Sequence, residues 1–563
     1  MLEDGKDRML MRHVPWLIAL IVAAAAWPAL PAAAPGAPPV PVGFRAAEGA
    51  DFGALRDAGA TAVKLVVNWS EIETRQGTWQ WGALDDAVSA AVSAGLRVIL
   101  VLSYTPKWAS QASGAELLDP GIYARQPPKQ LPAWEAFVTA ASSRFKDRVR
   151  DWQIWTARSL PLFRGTTREY IELLRSARVV IKAADPSARI VLSTPYGIDL
   201  PDLRRMVTDA FDDFDVVSLA PRGISPDALL RPLGVLRDRL LPRGTKSLWI
   251  EWDPFSFGQR ASWPGQLVKL QAEAKAFGID YVFWVAEGTA ITRIVLDTLG
   301  TQIGRRPFAG YLTRQRALLL IFGDADAAAV VWTASSDAAL TVEGTPVKAY
   351  TPTGDTRAVA ADAEKSTLTV GNEPLLLAGI GNAVLLEAKQ AGQAGTFPVL
   401  PAATDYRQAG DVSARLGRTN AELGLYNAPF REWRNDANEV VDADGGEALR
   451  TNAARERVYA HFDVDDTFLY FVDGRSLVEI TVEVRGASAP EQLGFDLWYD
   501  SMSGYRFTPW QWVLVSPGWV SYTVRIGDAA FANTWGWDFA INAAGNRTEE
   551  LVIRSVTVRK VAP

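Results

Sequence analysis

Between Val42 and about Leu299 the chain repeats one pattern eight times: a short apolar run, then an amphipathic stretch with apolar residues at helical spacing. The runs are Pro41 to Phe44, Ala62 to Asn68, Arg97 to Leu102, Val149 to Trp155, Ile190 to Ser193, Phe214 to Leu219, Ser247 to Trp252 and Tyr281 to Val285. Leu84 to Ala94, Trp134 to Phe145 and Thr167 to Ala184 are among the helical stretches between them. Such runs can join a buried parallel sheet, whose neighbouring strands need a crossover of helix length to connect. Eight units in about 250 residues predict a (β/α)8 barrel over residues 42–306.

After Arg306 the helical spacing stops. Short strands and turn signals such as Pro352-Thr-Gly-Asp355 predict a small β-sandwich over 307–387. A Gly/Ala/Gln-rich passage then reads as a linker over 388–404, and alternating runs to the C-terminus predict a jelly-roll-like sandwich of the carbohydrate-binding type over 405–563. At the N-terminus, Lys6, Arg8 and Arg12 precede an apolar run from Val14 to Trp27 and small residues near Ala34. This predicts a signal peptide over 1–34 and a Pro-rich spacer over 35–41, hence a secreted or periplasmic protein, or one held by an uncleaved N-terminal anchor.

Composition narrows the chemistry. The chain has no cysteine and two histidines, His13 and His461, both outside the barrel. Thiolate nucleophiles, thiolate metal sites and histidine-based triads in the barrel are thereby excluded, and the pattern asks for no metal or cofactor. Carboxylates remain as the catalytic groups. A net charge of −6 with interspersed signs offers no footprint for nucleic acid. In a barrel of this kind functional side chains follow the carboxyl ends of the strands. Trp69, Tyr104, Trp108, Trp252 and Trp284 stand there, and aromatic faces suit the apolar faces of sugar rings, although barrel-cap packing is an equal use for any one of them. In the C-terminal region the pairs Trp510/Trp512 and Trp535/Trp537 share a strand face each, either as a stacking platform or as core.

Three stretches carry a family resemblance. Asn68-Trp69-Ser-Glu-Ile-Glu73-Thr-Arg-Gln-Gly77-Thr-Trp-Gln-Trp81-Gly-Ala-Leu84-Asp85 and Tyr104-Thr-Pro106-Lys-Trp108-Ala109 resemble motifs of the family 39 retaining glycoside hydrolases and their clan. Trp152-Gln-Ile-Trp155 resembles the family's fourth strand, which continues Asn-Glu-Pro-Asn and supplies the general acid/base. Here Thr156, Ala157, Arg158 and Ser159 follow instead, so that Ala157 stands at the lost acid/base position.

The resemblance implies a barrel cleft that takes a polysaccharide or oligosaccharide. It also makes Glu251, in Leu248-Trp-Ile-Glu251-Trp252, the candidate nucleophile, with Glu287 and Asp253 in reserve. Glu251 comes one residue early when Trp249 is the anchor, so the alternative is a structural carboxylate paired with an arginine. Lys64 replaces an arginine of the family, and Ala220-Pro221-Arg222 replaces a His-Pro-Tyr. Taken together these substitutions imply a sugar-binding barrel with lost or impaired catalysis, in which Lys64, Glu251 and Glu287 hydrogen-bond hydroxyls. The alternative is an active retaining hydrolase with Glu251 as nucleophile and a relocated acid/base.

Overall fold

A computed structural model describes residues 40–46, 49–156, 162–221, 224–236, 240–241, 246–252, 262–285, 289–333, 337–343, 347–362, 364–393, 404–428, 438–452, 457–471, 476–534, 536–546 and 549–561. The expected signal peptide and most of the spacer lie outside them. No helix among the described residues is long and apolar enough to cross a membrane.

Eight strands close a parallel barrel in chain order: β1 (Val42–Arg45), β2 (Ala60–Asn68), β3 (Arg97–Ser103), β4 (Asp151–Ile154), β5 (Arg189–Tyr196), β6 (Val216–Ala220), β7 (Ser247–Trp252) and β8 (Tyr281–Val285). All eight predicted runs are there. Strand β4 is shorter than its run because Trp155 turns out of extended geometry, with φ of 66°. The intervening helices follow local rules. Helix Thr167–Ala184, for example, is opened by a reciprocal Thr166–Glu169 capping box and buries Tyr170, Leu174, Ala177 and Ile181 on one face.

Side chains fill the barrel in layers, set by the two-residue period of a strand. Ala62, Ile99, Val191, Val216, Trp249 and Phe283 form a sealed apolar layer. Gly43 belongs with them: a β-carbon there would stand 2.3 Å from the Phe283 ring. Below, buried Asp151 is paired with Arg97 at 2.5 Å and Arg189 at 2.8 Å. Two residues further along four of the same strands come Lys64, Ser193, Ser218 and Glu251, so the next layer is polar.

Residues after 306 form two antiparallel sheets, one of six strands beginning with Phe308–Arg314 and one of three strands. Their nearest barrel helix, Trp263–Phe277, is buried almost all round, since one side meets the barrel and the other meets this β module. Lys269 on that helix pairs with Asp227 at 3.0 Å, and Asp227 also accepts from Trp332 Nε1 and Asn372 Nδ2 of the module. Glu273 is fully buried, and burial raises its pKa well above the ordinary value. The expected linker differs at its start. Residues 388–393 complete a helix, Asn382–Gln393, whose Leu385 and Ala388 are buried in the module's core; residues 394–403 lie outside the described set.

The C-terminal region is a sandwich of a seven-stranded and a six-stranded antiparallel sheet over a shared apolar core. It docks on the carboxyl-end rim of the barrel. Phe471, Ala530 and Ala532 join the barrel's apolar cluster, and Thr534 O accepts from Ile198 N at 3.2 Å just beyond β5.

Two buried carboxyls hold the docking loop. Asp500 accepts from Thr534 N at 2.9 Å, and Asp538 accepts from Asn533 N at 3.0 Å. Burial, with Asp199 nearby, pushes Asp500 up to about 7, and burial pushes Asp538 well above the carboxylate range. The other titratable groups that face them include Tyr470, Tyr505 and Asp463. A carboxyl whose pKa rises on folding gives a stabilisation that is complete below its unfolded value and lost as pH climbs through its folded one. The apparent Tm is therefore expected to fall from about pH 4 to about pH 7, and Asp500→Asn should flatten that slope. A Tm equally flat in both proteins would contradict a protonated Asp500.

Candidate active site

The polar layer converges on one atom. Glu251 Oε1 accepts from Lys64 Nζ at 2.6 Å, Gln153 Nε2 at 2.9 Å and Ser218 Oγ at 2.8 Å. Lys64 Nζ also donates to Gln153 Oε1 at 2.6 Å and Ser218 Oγ at 2.9 Å, and lies 4.3 Å from the centre of the Phe283 ring. Gln153 Nε2 reaches Ser193 Oγ at 3.0 Å, which in turn donates to Trp155 O. Strands β2, β4, β5, β6 and β7 thus each contribute one side chain to a single network, and none of these five side chains projects from a loop.

Electrostatics fix the charge state. Burial works against an ionised Glu251, but Lys64 and Arg45 outweigh it and bring its pKa below the ordinary carboxylate value. Burial lowers the pKa of Lys64, opposed by Glu251. Lys64 is 1% exposed and Glu251 14%, so the pair is shielded and the carboxylate alone reaches toward solvent.

Arg45, Lys64, Val66, Val101, Gln153, Thr156 and Glu251 line a tight crevice over this network, too narrow to hold a water molecule. Among the described residues of that lining Glu251 is the one carboxylate. Thr156 is nearly buried, with its hydroxyl 3.2 Å from the Tyr104 hydroxyl. Tyr104 and Trp155, at the ends of adjacent strands, both have left-handed backbone, φ 64° and 66°. Such conformations cost about 1–2 kcal/mol each for residues with a side chain. Trp155 is held there by Leu102 O, by its indole bond to Leu162 O at 2.7 Å, and by Phe163 and Trp134.

The residues expected from sequence fall into three groups. Lys64 and Glu251 come together as an ion pair, and Arg45 in the same lining also lowers the pKa of Glu251. Tyr104 and Trp108 are partly exposed at the rim, Trp108 donating to Glu73 O at 2.9 Å. Trp69, Trp252 and Trp284 are 0–1% exposed and present no ring face to a ligand.

Trp69 stacks on Phe137 and donates to Glu73. Trp252 follows Glu251 directly on a strand, so it points the opposite way, and Trp284 packs on Trp263 of a surrounding helix. Where a saccharide cleft was expected to use these three rings, the structure uses them as packing. Glu287, Asp253 and Ala157 lie outside the described residues. Gln153 and Arg45 were missed, although each stands two residues beyond an inward position of its own strand, Asp151 and Gly43.

Known structures offer a comparison of fold. No family model and no curated protein matches the sequence. Among solved structures the chain is similar to several glycoside hydrolases. One is a family 39 glycoside hydrolase from Bacteroides cellulosilyticus WH2, 16% identical over 60% of this chain and 81% of that one, with a TM-score of 0.48. A family 30 endoxylanase from Clostridium papyrosolvens C71 is 12% identical over 60% and 94%, with a TM-score of 0.41. A glucosidase from Croceicoccus marinus is 11% identical over 93% and 96%, with a TM-score of 0.37.

Proposed function

We propose that the chain is a secreted or periplasmic, glycosidase-like barrel protein that binds polysaccharide at the carboxyl-end rim and has lost or impaired hydrolysis. The observation that carries this reading is the lining among the described residues: one carboxylate, Glu251, bonded through Oε1 to Lys64, Gln153 and Ser218. A retaining hydrolase needs two carboxyls about 5 Å apart, one to attack the anomeric carbon and one to protonate the leaving oxygen. On this reading Thr156 and Ala157 leave the second role empty. Proton donation accounts for roughly 10² to 10⁴ of the rate.

A second reading, an active retaining hydrolase with a relocated acid, draws on one observation: Glu251 is held ionised and inward, the state a nucleophile requires. Dinitrophenyl glycosides separate the two, because their leaving group needs no acid. Release that Glu251→Gln abolishes, with no release from the matching unactivated glycosides, is the expected result for a barrel that keeps its nucleophile and lacks its acid. Hydrolysis of ordinary glycosides at enzymatic rates would favour the active hydrolase and overturn our reading.

A further inference from the structure

The C-terminal sandwich leaves one long strand edge open. Strand Trp519–Ile526 pairs along its whole length with Val478–Arg485 and, among the described residues, with no other strand. An unpaired edge is a row of backbone donors and acceptors, which folded proteins usually blunt with lysine, proline, a bulge or brevity. The sandwich's other strands with a single neighbour are brief: Ala421–Leu423, Leu425–Asn427, Glu439–Ala443, Gly504–Phe507 and Gln511–Trp512 have two to five residues. Trp519–Ile526 has eight, with no glycine, proline or lysine among them, and its register with Val478–Arg485 runs unbroken. Its one charge, Arg525, is tied to Glu479 at 2.8 Å.

Exposure marks the same flank. Val520 and Tyr522 share the core-facing parity of buried Val524 and Ile526, yet both stay partly exposed. The last strands of the other sheet, Gly504–Phe507 and Gln511–Trp512, border this edge: Leu514 N donates to Tyr522 Oη at 2.6 Å, and the Phe495 and Tyr522 rings meet edge to face at 5.7 Å. Phe507, Trp512, Leu514 and Val515 fringe it, each between 53% and 75% exposed. Large apolar side chains bared together in this way mark a contact surface.

The edge is complementary to itself. Two identical strands related by a two-fold axis pair antiparallel, and side chains set opposite one another must share a face. With the axis at Tyr522, Trp519 meets Arg525 of a second copy, Ser521 meets Thr523, Val520 meets Val524 and Tyr522 meets its own equivalent. Each is a compatible pair, and no like charges are opposed. The edge and its fringe would bury on the order of 600 Å² per protomer, at the lower bound of a specific interface. We propose that two copies of this chain dimerise by antiparallel pairing of Trp519–Ile526 about Tyr522, which joins their seven-stranded sheets into one. The barrel crevice takes no part, so the proposal is independent of sugar binding.

Sedimentation velocity on the full chain across a range of concentrations tests it, and a reversible dimer is expected. Ser521→Lys with Thr523→Lys opposes like charges twice across the axis and should raise the dimer Kd about tenfold or more. Ser521→Lys with Thr523→Glu puts opposite charges there and should keep the dimer. Both positions are exposed, thermal melts establish that the variants are folded, and the charge-swapped variant keeps the test valid should the other fail. Three results would each overturn the assignment. The first is a wild type that stays monomeric to about 100 µM, whether or not it binds phosphatidylcholine vesicles through the apolar fringe. The second is a dimer equally tight in both variants, which would place the contact elsewhere. The third is a dimer lost equally in both, which would exclude this register.

Discussion

Replacing Lys64 by methionine should destabilise the barrel by about 3–5 kcal/mol, the usual effect of removing one partner from a buried ion pair. Lys64 is held at 2.6 Å from Glu251 within a network spanning five strands, and it lowers the pKa of that carboxylate more than Arg45 does. With the ammonium gone, Arg45 alone would oppose the desolvation of Glu251, and its pKa would move up. The sign of the pH dependence then inverts. Wild-type Glu251, depressed on folding, contributes stability that is present above the ordinary carboxyl pKa and lost as pH falls through its folded value. In Lys64→Met the defect should be smallest in acid and grow as pH rises. A double variant, Lys64→Met with Glu251→Gln, should recover much of the loss because no charge stays buried. Thermal and urea unfolding followed across pH would check this, and a single variant as stable as wild type at neutral pH would contradict it.

Gly197→Ala should release the C-terminal sandwich from the barrel rim. Gly197 has φ of 76°, and a β-carbon there would come 1.8 Å from the carbonyl oxygen of Thr534. Backbone strain of about 1–2 kcal/mol adds to overpacking of about 1–3 kcal/mol, against a backbone atom that cannot rotate away. Loss of the Ile198 to Thr534 bond and faster proteolysis near residue 534 are expected, with the barrel's own melting little changed. A variant cleaved no faster than wild type would show that the apolar contacts at Phe471, Ala530 and Ala532 hold the docking unaided.

The barrel was legible because buried parallel strands are nearly continuous apolar runs, and helices between them have a different period. Local sequence also marks helix starts such as Thr166. The site was legible only in part. Glu251 stands out as a carboxylate inside an apolar strand, yet its facing depends on parity, and an offset of one residue exchanges the barrel interior for the helix layer. That same parity turns Trp252 outward. Trp69 and Trp284 stand near strand ends and suggested a cleft, but a tryptophan offers the same sequence signal whether it stacks on a sugar or on Phe137. The pairing of Lys64 with Gln153, Ser218 and Glu251 joins positions 64 to 251 across the closed barrel, and nothing local records it. In the sandwich, Trp512 is 53% exposed while Trp510 packs over Gly494 and Gly545, so the pair expected to serve together, as platform or as core, splits into an exposed ring and an anchored one. Trp535 lies outside the described residues, and its partner Trp537 is 7% exposed and packs on His461 and Tyr505.

Helix Trp263–Phe277 sets a limit on how this protein can be divided. Its two sides belong to two different neighbours, and Lys269, Asp227 and Trp332 are bonded across the seam. A chain cut after the last barrel helix would leave an apolar helix face bare, with Asp227 stripped of its indole and amide donors. Any piece that keeps this seam therefore runs at least from the first barrel strand through the β module, and an excised barrel would be a poor reagent for asking what its pocket does.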